Sequence, residues 1–421
     1  MALYERKQLA TLLKRLGETP RTLIFIAGPR QVGKTTLIEQ AKEALNRELI
    51  LVRIDEPDAR PLRPSTGPLR TTSADTPVTV PREPDTAWLV DVWQRARSRA
   101  DLSEEGCVLA LDEIQKVPRW SEAVKGLWDA DRHERRRLHV ILSGSSPLLM
   151  QRGLTESLAG RFEMIGLKHW SLAEMSQAFG LTVSEYVYFG GYPGALEYVD
   201  DHVRWHDYIL RALVEPNIER DILAMQRVDK PALLKQLFEV GATSSGQILS
   251  YTKMLGQLQD AGNTTTLARY LDLLERVGLL AGLQNYTGGI YRRRASSPKL
   301  NVLNTGLMSA FSGYTFEDAQ ADRTFWGRLV ESAVGAHLCN TSTGPSRLWY
   351  WRQNGSEVDF VLQRGPRLAA FEVKSHKGQA DRRGLAEFRE RFRPVQAEVV
   401  GGDGLPLEEF LSVPADDWFK T

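Results

Sequence analysis

The stretch Gly28-Pro29-Arg30-Gln31-Val32-Gly33-Lys34-Thr35-Thr36 constrains this chain more than any other. It fits G-x-x-x-x-G-K-[ST], a pattern that has meaning only between a strand and a helix. Both neighbours are present. Leu23 to Ala27 is a continuous apolar run, as a buried strand requires, and Thr36 to Lys42 has the composition of a helix start. In that setting the loop amides curl around phosphate oxygens, and the helix N-terminus adds its positive end. Lys34 is then expected to reach the β and γ phosphates, and the Thr35 hydroxyl to ligate Mg²⁺. Residues Gly28 to Thr36 are thus the expected nucleotide-binding set, with ATP and Mg²⁺ as cofactors.

A second motif supports this expectation. Cys107 to Leu111 is an apolar strand ending in Asp112 and Glu113. Downstream of a phosphate-binding loop, such a strand supplies the acid that holds Mg²⁺, here Asp112 through water, and a carboxylate that polarises the attacking water, here Glu113. Leu138 to Ser143 is a third buried strand, followed by Gly144, Ser145 and Ser146. Ser143 or Ser145 is placed to sense the γ-phosphate. Arg161 follows shortly and is expected to act as an arginine finger on the nucleotide of a neighbouring subunit, which requires a homo-oligomer. Catalysis would then rest on Glu113, Arg161 and Lys34.

Composition sets the bounds. A chain of 421 residues is long enough for several domains. Its net charge of +1 means that any nucleic-acid-binding surface must be local. The two cysteines, Cys107 and Cys339, lie far apart in sequence, which fits a reducing compartment and no disulfide framework. No apolar run is long enough to span a bilayer, and the N-terminus lacks a secretory apolar region. A cytoplasmic protein without a membrane partner is expected.

The rest of the chain changes character in steps. Residues 4–16 read as a helix, and 56–85, rich in Pro, Thr, Ser and Arg, as a long loop or insertion. Residues 166–229 read as a mostly helical lid interrupted at Gly190-Gly191-Tyr192-Pro193; Arg211 and Arg220 are alternative second sensors. Residues 230–297 read as three short helices and a β-hairpin, with strands from Leu279 and from Ile290, which is the pattern of a winged helix. Its third helix, opening at Asn263-Thr264, is placed to enter a DNA groove. Arg292, Arg293 and Arg294 on the wing are placed to meet phosphates. Asp272 and Glu275, among the exposed positions of that helix, count against DNA contact.

From residue 298 the pattern becomes α/β. A helix carries Glu331, one strand carries Asp359, and the next carries Glu372-Val373-Lys374. Alternation puts Glu372 and Lys374 on one face of their strand. This order resembles the core of the metal-dependent PD-(D/E)xK nucleases. Asp359 and Glu372 would ligate Mg²⁺, Lys374 would position a water, and Glu331 would add a helix carboxylate. The same set is also compatible with a buried ionic cluster in a domain that does not cut.

Together these stretches resemble a bacterial and archaeal family of AAA-type P-loop ATPases with a C-terminal nuclease-like domain of unknown function. The resemblance rests on 28–36, Leu111 to Pro118, 143–146, Leu158 to Arg161, Gly190 to Pro193, Asn304 to Leu307, Leu329 to Glu331, Tyr350 to Arg352, Glu357 to Phe360 and Glu372 to Lys374. It implies an AAA-type core at 1–165, a helical lid at 166–229, a winged-helix domain at 230–297 and a nuclease-like α/β domain at 298–421. Asn304 departs from the family's usual Asp, and a weakened contact is expected there. The functions that follow are an ATP-driven motor or remodeller acting on branched or duplex DNA as a ring such as a hexamer; an ATP-dependent metal nuclease; or a nucleotide switch that binds a protein partner.

Overall fold

The structure, a computed structural model, describes residues 4–55, 80–81, 83–144, 157–223, 228–258, 263–288, 297–376 and 383–420. The chain divides into two compact units, Met1–Leu167 and Lys168–Thr421.

The first unit is built on five parallel strands: β1 (Leu23–Ala27), β2 (Leu49–Arg53), β3 (Cys107–Asp112), β4 (Leu138–Gly144) and β5 (Phe162–Gly166). Their order across the sheet is β2-β3-β4-β1-β5. Helices cover both faces, which is why the strands read as unbroken apolar runs. Alternation along β1 shows the division. Ile24 and Ile26 pack with α1 (Gln8–Leu16) and α2 (Lys34–Ala44). Leu23 and Phe25 pack with α3 (Thr86–Leu102) and α4 (Trp120–Glu134). The Asp85 side chain caps α3 by accepting from the Trp88 amide at 2.8 Å. A buried polar knot joins α3 to α4: Asp131 accepts from Trp93 Nε1 at 2.7 Å and from Arg97 Nε at 2.6 Å. The first helix is shorter than the expected 4–16, and the expected loop at 56–85 lies largely outside the described residues.

The second unit opens with helices. Capping boxes start α5 (Leu172–Phe179), through Ser171 and Glu174, and α6 (Val183–Phe189), through Thr182 and Glu185. After α7 (His202–Asp207) the chain winds as π-helix over Tyr208–Val214 and Asn217–Leu223, with Pro216 between the two segments. Three helices follow: α8 (Pro231–Thr243), α9 (Tyr251–Gln257) and α10 (Thr264–Arg276). Ser250 and Asn263 cap the last two. Strand β6 (Leu280–Leu283) then pairs antiparallel with β7 (Lys299–Val302).

The described partner of β6 is Lys299–Val302, the start of the expected second strand at Ile290 lies outside the described residues, and the expected domain boundary at 297/298 falls between the two paired strands. The short strand escaped notice because Lys299 and Asn301 are polar, yet all four of its positions are buried. Residues 289–296, with Arg292, Arg293 and Arg294, lie outside the described residues.

Helices α11 (Thr305–Ser312), α12 (Phe316–Ala321) and α13 (Arg323–Thr341) lead to a second sheet in the order β11-β10-β9-β8. Its strands are β8 (Arg347–Gln353), β9 (Ser356–Arg364), β10 (Arg367–Val373) and β11 (Gln396–Val400). Only β10 and β11 run parallel, joined through α14 (Arg383–Phe392). Asn354 and Gly355, at φ 50° and 84°, form the two-residue turn between β8 and β9. A Cβ at Gly335 of α13 would lie 2.2 Å from Asn301 Oδ1, so the helix seats closely on β7. No described helix is long and apolar enough to cross a membrane.

Candidate active site

The C-terminal ends of β1, β3 and β4 converge, and this edge of an open α/β sheet is where ligands bind. The loop Gly28–Gly33 leaves β1 here and enters α2. A Cβ at Gly28 would meet the Leu167 carbonyl oxygen at 2.1 Å, so only glycine fits. Gln31 and Gly33 take φ of 59° and 88°, which turns successive amides of the loop towards one side. The buried Arg6 donates to the Val32 carbonyl at 3.0 Å and braces the loop from the N-terminal segment. The Lys34 ammonium is held over the loop by the carbonyls of Gly28 (3.0 Å) and Pro29 (2.8 Å).

Asp112 is the hub of the site. It is buried, and its Oδ2 accepts from the Thr35 hydroxyl at 2.5 Å. Its Oδ1 accepts from the Ser143 hydroxyl and from the Glu113 amide at 3.2 Å. Strand β4 lies between β1 and β3, and its register with β1 sets Ser143 beside Ile26. A hydroxyl and a carboxylate in contact beside a lysine form a hard-oxygen donor set that fits Mg²⁺ bound with a nucleotide phosphate. Glu113 sits at φ 58°, which a non-glycine residue rarely adopts, and its Oε2 accepts from Gln115 Nε2. The sequence reading missed Arg6 and Gln115, although Gln115 stands two residues from the expected Glu113. Ser145 lies outside the described residues.

Arg161 is elsewhere. Its carbonyl accepts from the Leu23 amide at 2.8 Å, which places it at the start of β1. The five residues of β1 separate that edge from the phosphate-binding loop by about 16 Å. The guanidinium pairs with Asp129 through two bonds, at 2.7 and 3.1 Å. That bond holds the Asp129 carboxyl below its ordinary range and raises Arg161. Arg211 is exposed and lies 3.5 Å from Asp207, one helical turn away. The Arg220 side chain lies outside those described.

In the second unit the structure brings Glu331, Asp359, Glu372 and Lys374 to one cluster and adds a residue that the sequence reading passed over. Lys299 is 1% exposed, and its ammonium lies 2.5 Å from Glu331 Oε1 and 2.8 Å from Asp359 Oδ1. Asp359 Oδ2 accepts from the Val373 amide at 2.9 Å, and Lys374 donates to Glu372 Oε1 at 2.7 Å. Burial and the Asp359 charge push Glu331 up to about 7. The same two causes raise Glu372 to about 7 against the opposing pull of Lys374. Burial works against a charged Lys299, but Asp359 and Glu331 outweigh it and keep it protonated. Among the described residues, no three His, Cys, Asp or Glu side chains are grouped as metal ligands. The expected two-carboxylate metal site is therefore laid out around an ammonium.

Asn304, where a weakened contact is expected, is buried. It caps α11; its Oδ1 accepts from the amides of Gly306 and Gly191, both at 3.2 Å, and its Nδ2 approaches His169 Nδ1 at 3.4 Å. A Cβ at Gly190 would lie 1.9 Å from Asn304 Oδ1, and one at Gly191 2.2 Å from the Trp170 carbonyl. The Gly190-Gly191 pair is the price of that packing.

Residues 20–176 match the family described as the AAA domain. Residues 181–318 and 326–411 match two further families, each described as a domain of unknown function. The chain is 26% identical to uncharacterized proteins of Mycobacterium tuberculosis and Mycobacterium bovis, over 100% of its own length and 86% of theirs. It is also similar to the Walker-type ATPase of Pyrococcus abyssi, at 16% identity over 73% of this chain and 96% of that one, with a TM-score of 0.49.

Proposed function

We propose that the AAA-type P-loop ATPase domain of this chain hydrolyses ATP with Mg²⁺ to drive work on DNA, as a homo-oligomeric ring. The observation that carries the hydrolytic part is the Asp112 carboxylate, which gathers the Thr35 and Ser143 hydroxyls at the mouth of the Gly28–Thr36 loop. In this reading the loop amides and Lys34 bind the β and γ phosphates, and Thr35 and Asp112 hold Mg²⁺, which neutralises phosphate charge. Glu113 orients the attacking water, and Ser143 bonds near the γ-phosphate.

The DNA-directed part rests on the helices α8, α9 and α10 followed by the β6–β7 hairpin, an order that suits a winged helix. Arg269 is among the exposed residues of α10. The nuclease reading has less support, because Lys299 stands among the carboxylates that a catalytic metal would need.

The test is phosphate release by the full chain with and without single-stranded, duplex and branched DNA. Hydrolysis should stop in Glu113→Gln while ATP binding persists, and DNA should stimulate the native chain less as salt rises. Normal turnover in Glu113→Gln would sink the catalytic assignment. Turnover indifferent to every DNA would leave the ATPase standing and remove DNA as its target.

A further inference from the structure

The carboxylate cluster of the second unit carries an inference that is independent of the nucleotide site. Glu331 on α13, Asp359 on β9 and Glu372 on β10 are acids of the kind that divalent cations use, but among the described residues they are not grouped as a set of metal ligands. Their geometry is organised for something else. The Lys299 ammonium makes contacts of 2.5 Å to Glu331 Oε1, 2.8 Å to Asp359 Oδ1 and 3.4 Å to the Asp359 carbonyl. It also lies 4.8 Å from the centre of the Phe360 ring, on whose face a cation is favoured. The second oxygen of Asp359 is taken by the Val373 amide, and one oxygen of Glu372 by Lys374. The remaining oxygen, Glu372 Oε2, is buried and has no hydrogen-bond partner among the described residues.

We propose that Lys299 is a resident cation that occupies the place of a divalent metal in this cluster, and that replacing it with a small neutral residue opens a Mg²⁺- or Mn²⁺-type site formed by Asp359, Glu331 and Glu372. The physical reason is direct. A divalent ion ligated by Asp359 and Glu331 would lie within a few ångströms of a buried ammonium, where repulsion is weakly screened. With the ammonium gone, two half-buried carboxylates lose their counter-charge and a third already has an oxygen to offer. The native second unit is on this account a metal-independent domain that keeps a nuclease-like acid arrangement.

The test uses the full chain carrying Thr35→Ala, without nucleotide, so that the P-loop contributes no metal site. Mn²⁺ is titrated and free Mn²⁺ is followed by its electron paramagnetic resonance, with thermal unfolding in parallel. The chain that retains Lys299 should show no saturable Mn²⁺ binding. Lys299→Ala should bind one Mn²⁺ at least about ten-fold more tightly and unfold at a higher temperature as Mn²⁺ is added. Adding Asp359→Asn should remove both effects. If Lys299→Ala folds only with Mn²⁺ present, that dependence is itself the expected linkage. If it does not fold at all, Lys299→Ser, small and neutral but able to donate a hydrogen bond to one of the two acids, should show the gain in binding. The inference is overturned if the Lys299-containing chain binds Mn²⁺ through Asp359 as tightly as the variants, or if no variant gains binding.

Discussion

Glu113 shows how much of the candidate chemistry hangs on single residues. Its backbone lies in the left-handed region, and Gln115 Nε2 holds its carboxylate. A general base is effective only when its oxygen points at the proton it takes. Gln115→Ala should therefore lower kcat about ten-fold while leaving affinity for a non-hydrolysable ATP analogue unchanged. Equal losses in both would mean that Gln115 only supports the loop. Gly28 makes a complementary case, in which what matters is a missing side chain. Gly28→Ala forces a methyl group to within 2.1 Å of the Leu167 carbonyl oxygen. It should cost about 2 kcal/mol or more, read as a lower urea midpoint for the first unit, and weaken nucleotide binding as well.

At the scale of elements, α3 and α4 are joined by charge as well as by apolar packing. Asp131 is 3% exposed and serves Trp93 Nε1 and Arg97, so Asp131→Ala would take the acceptor from a buried indole N–H and the carboxylate from a nearly buried guanidinium that otherwise donates to the Leu127 carbonyl. A loss of about 3 kcal/mol in unfolding free energy is expected. Asp131→Asn, which keeps one acceptor, should lose less. The junction of β9, β10 and α13 behaves differently because its acids are raised. Burial and the Asp359 charge push Glu331 and Glu372 up to about 7 in the fold from an ordinary value of 4.5. Between those values the unfolded chain holds fewer protons than the folded one, so stability falls as pH rises through the window. The unfolding temperature of the second unit should drop from pH 5 to pH 7.5, and Glu372→Gln should make the drop shallower. An identical slope in native and variant would show that Glu372 does not carry the raised titration.

At the scale of the whole molecule, Arg161 and the phosphate-binding loop stand at opposite ends of β1. In the proposed ring this is an advantage, since an arginine that cannot reach its own nucleotide is free to serve a neighbour's. Arg161→Ala should keep ATP affinity and lose hydrolysis, and mixing it with Lys34→Ala should restore part of the rate through mixed interfaces. Dead mixtures despite demonstrated subunit exchange would remove the trans role. The contact with Asp129 must open in the active assembly, so Asp129→Ala should not reduce turnover.

The phosphate-binding loop was legible because its chemistry is contiguous: a strand, nine residues and a helix start carry it without help from elsewhere. The acid pair at the end of β3 was legible for the same reason, and so was the helix cap at Asn263, whose partner stands three residues away. What only the tertiary structure decided depends on segments that meet from far apart. Ser143 reaches Asp112 because β4 lies between β1 and β3, an order that no local pattern encodes. Asn304 keeps its contacts because Gly191 and His169 come to it. Lys299 carries no motif and stands just past the expected domain boundary at 297/298. It became the centre of the second cluster only when β7 paired with β6 and drew the lysine in among Glu331 and Asp359. Periodicity and turn chemistry act over a few residues and leave a trace in sequence. Burial of a charge is settled by which distant carboxylates surround it, and that information exists only once the chain has folded.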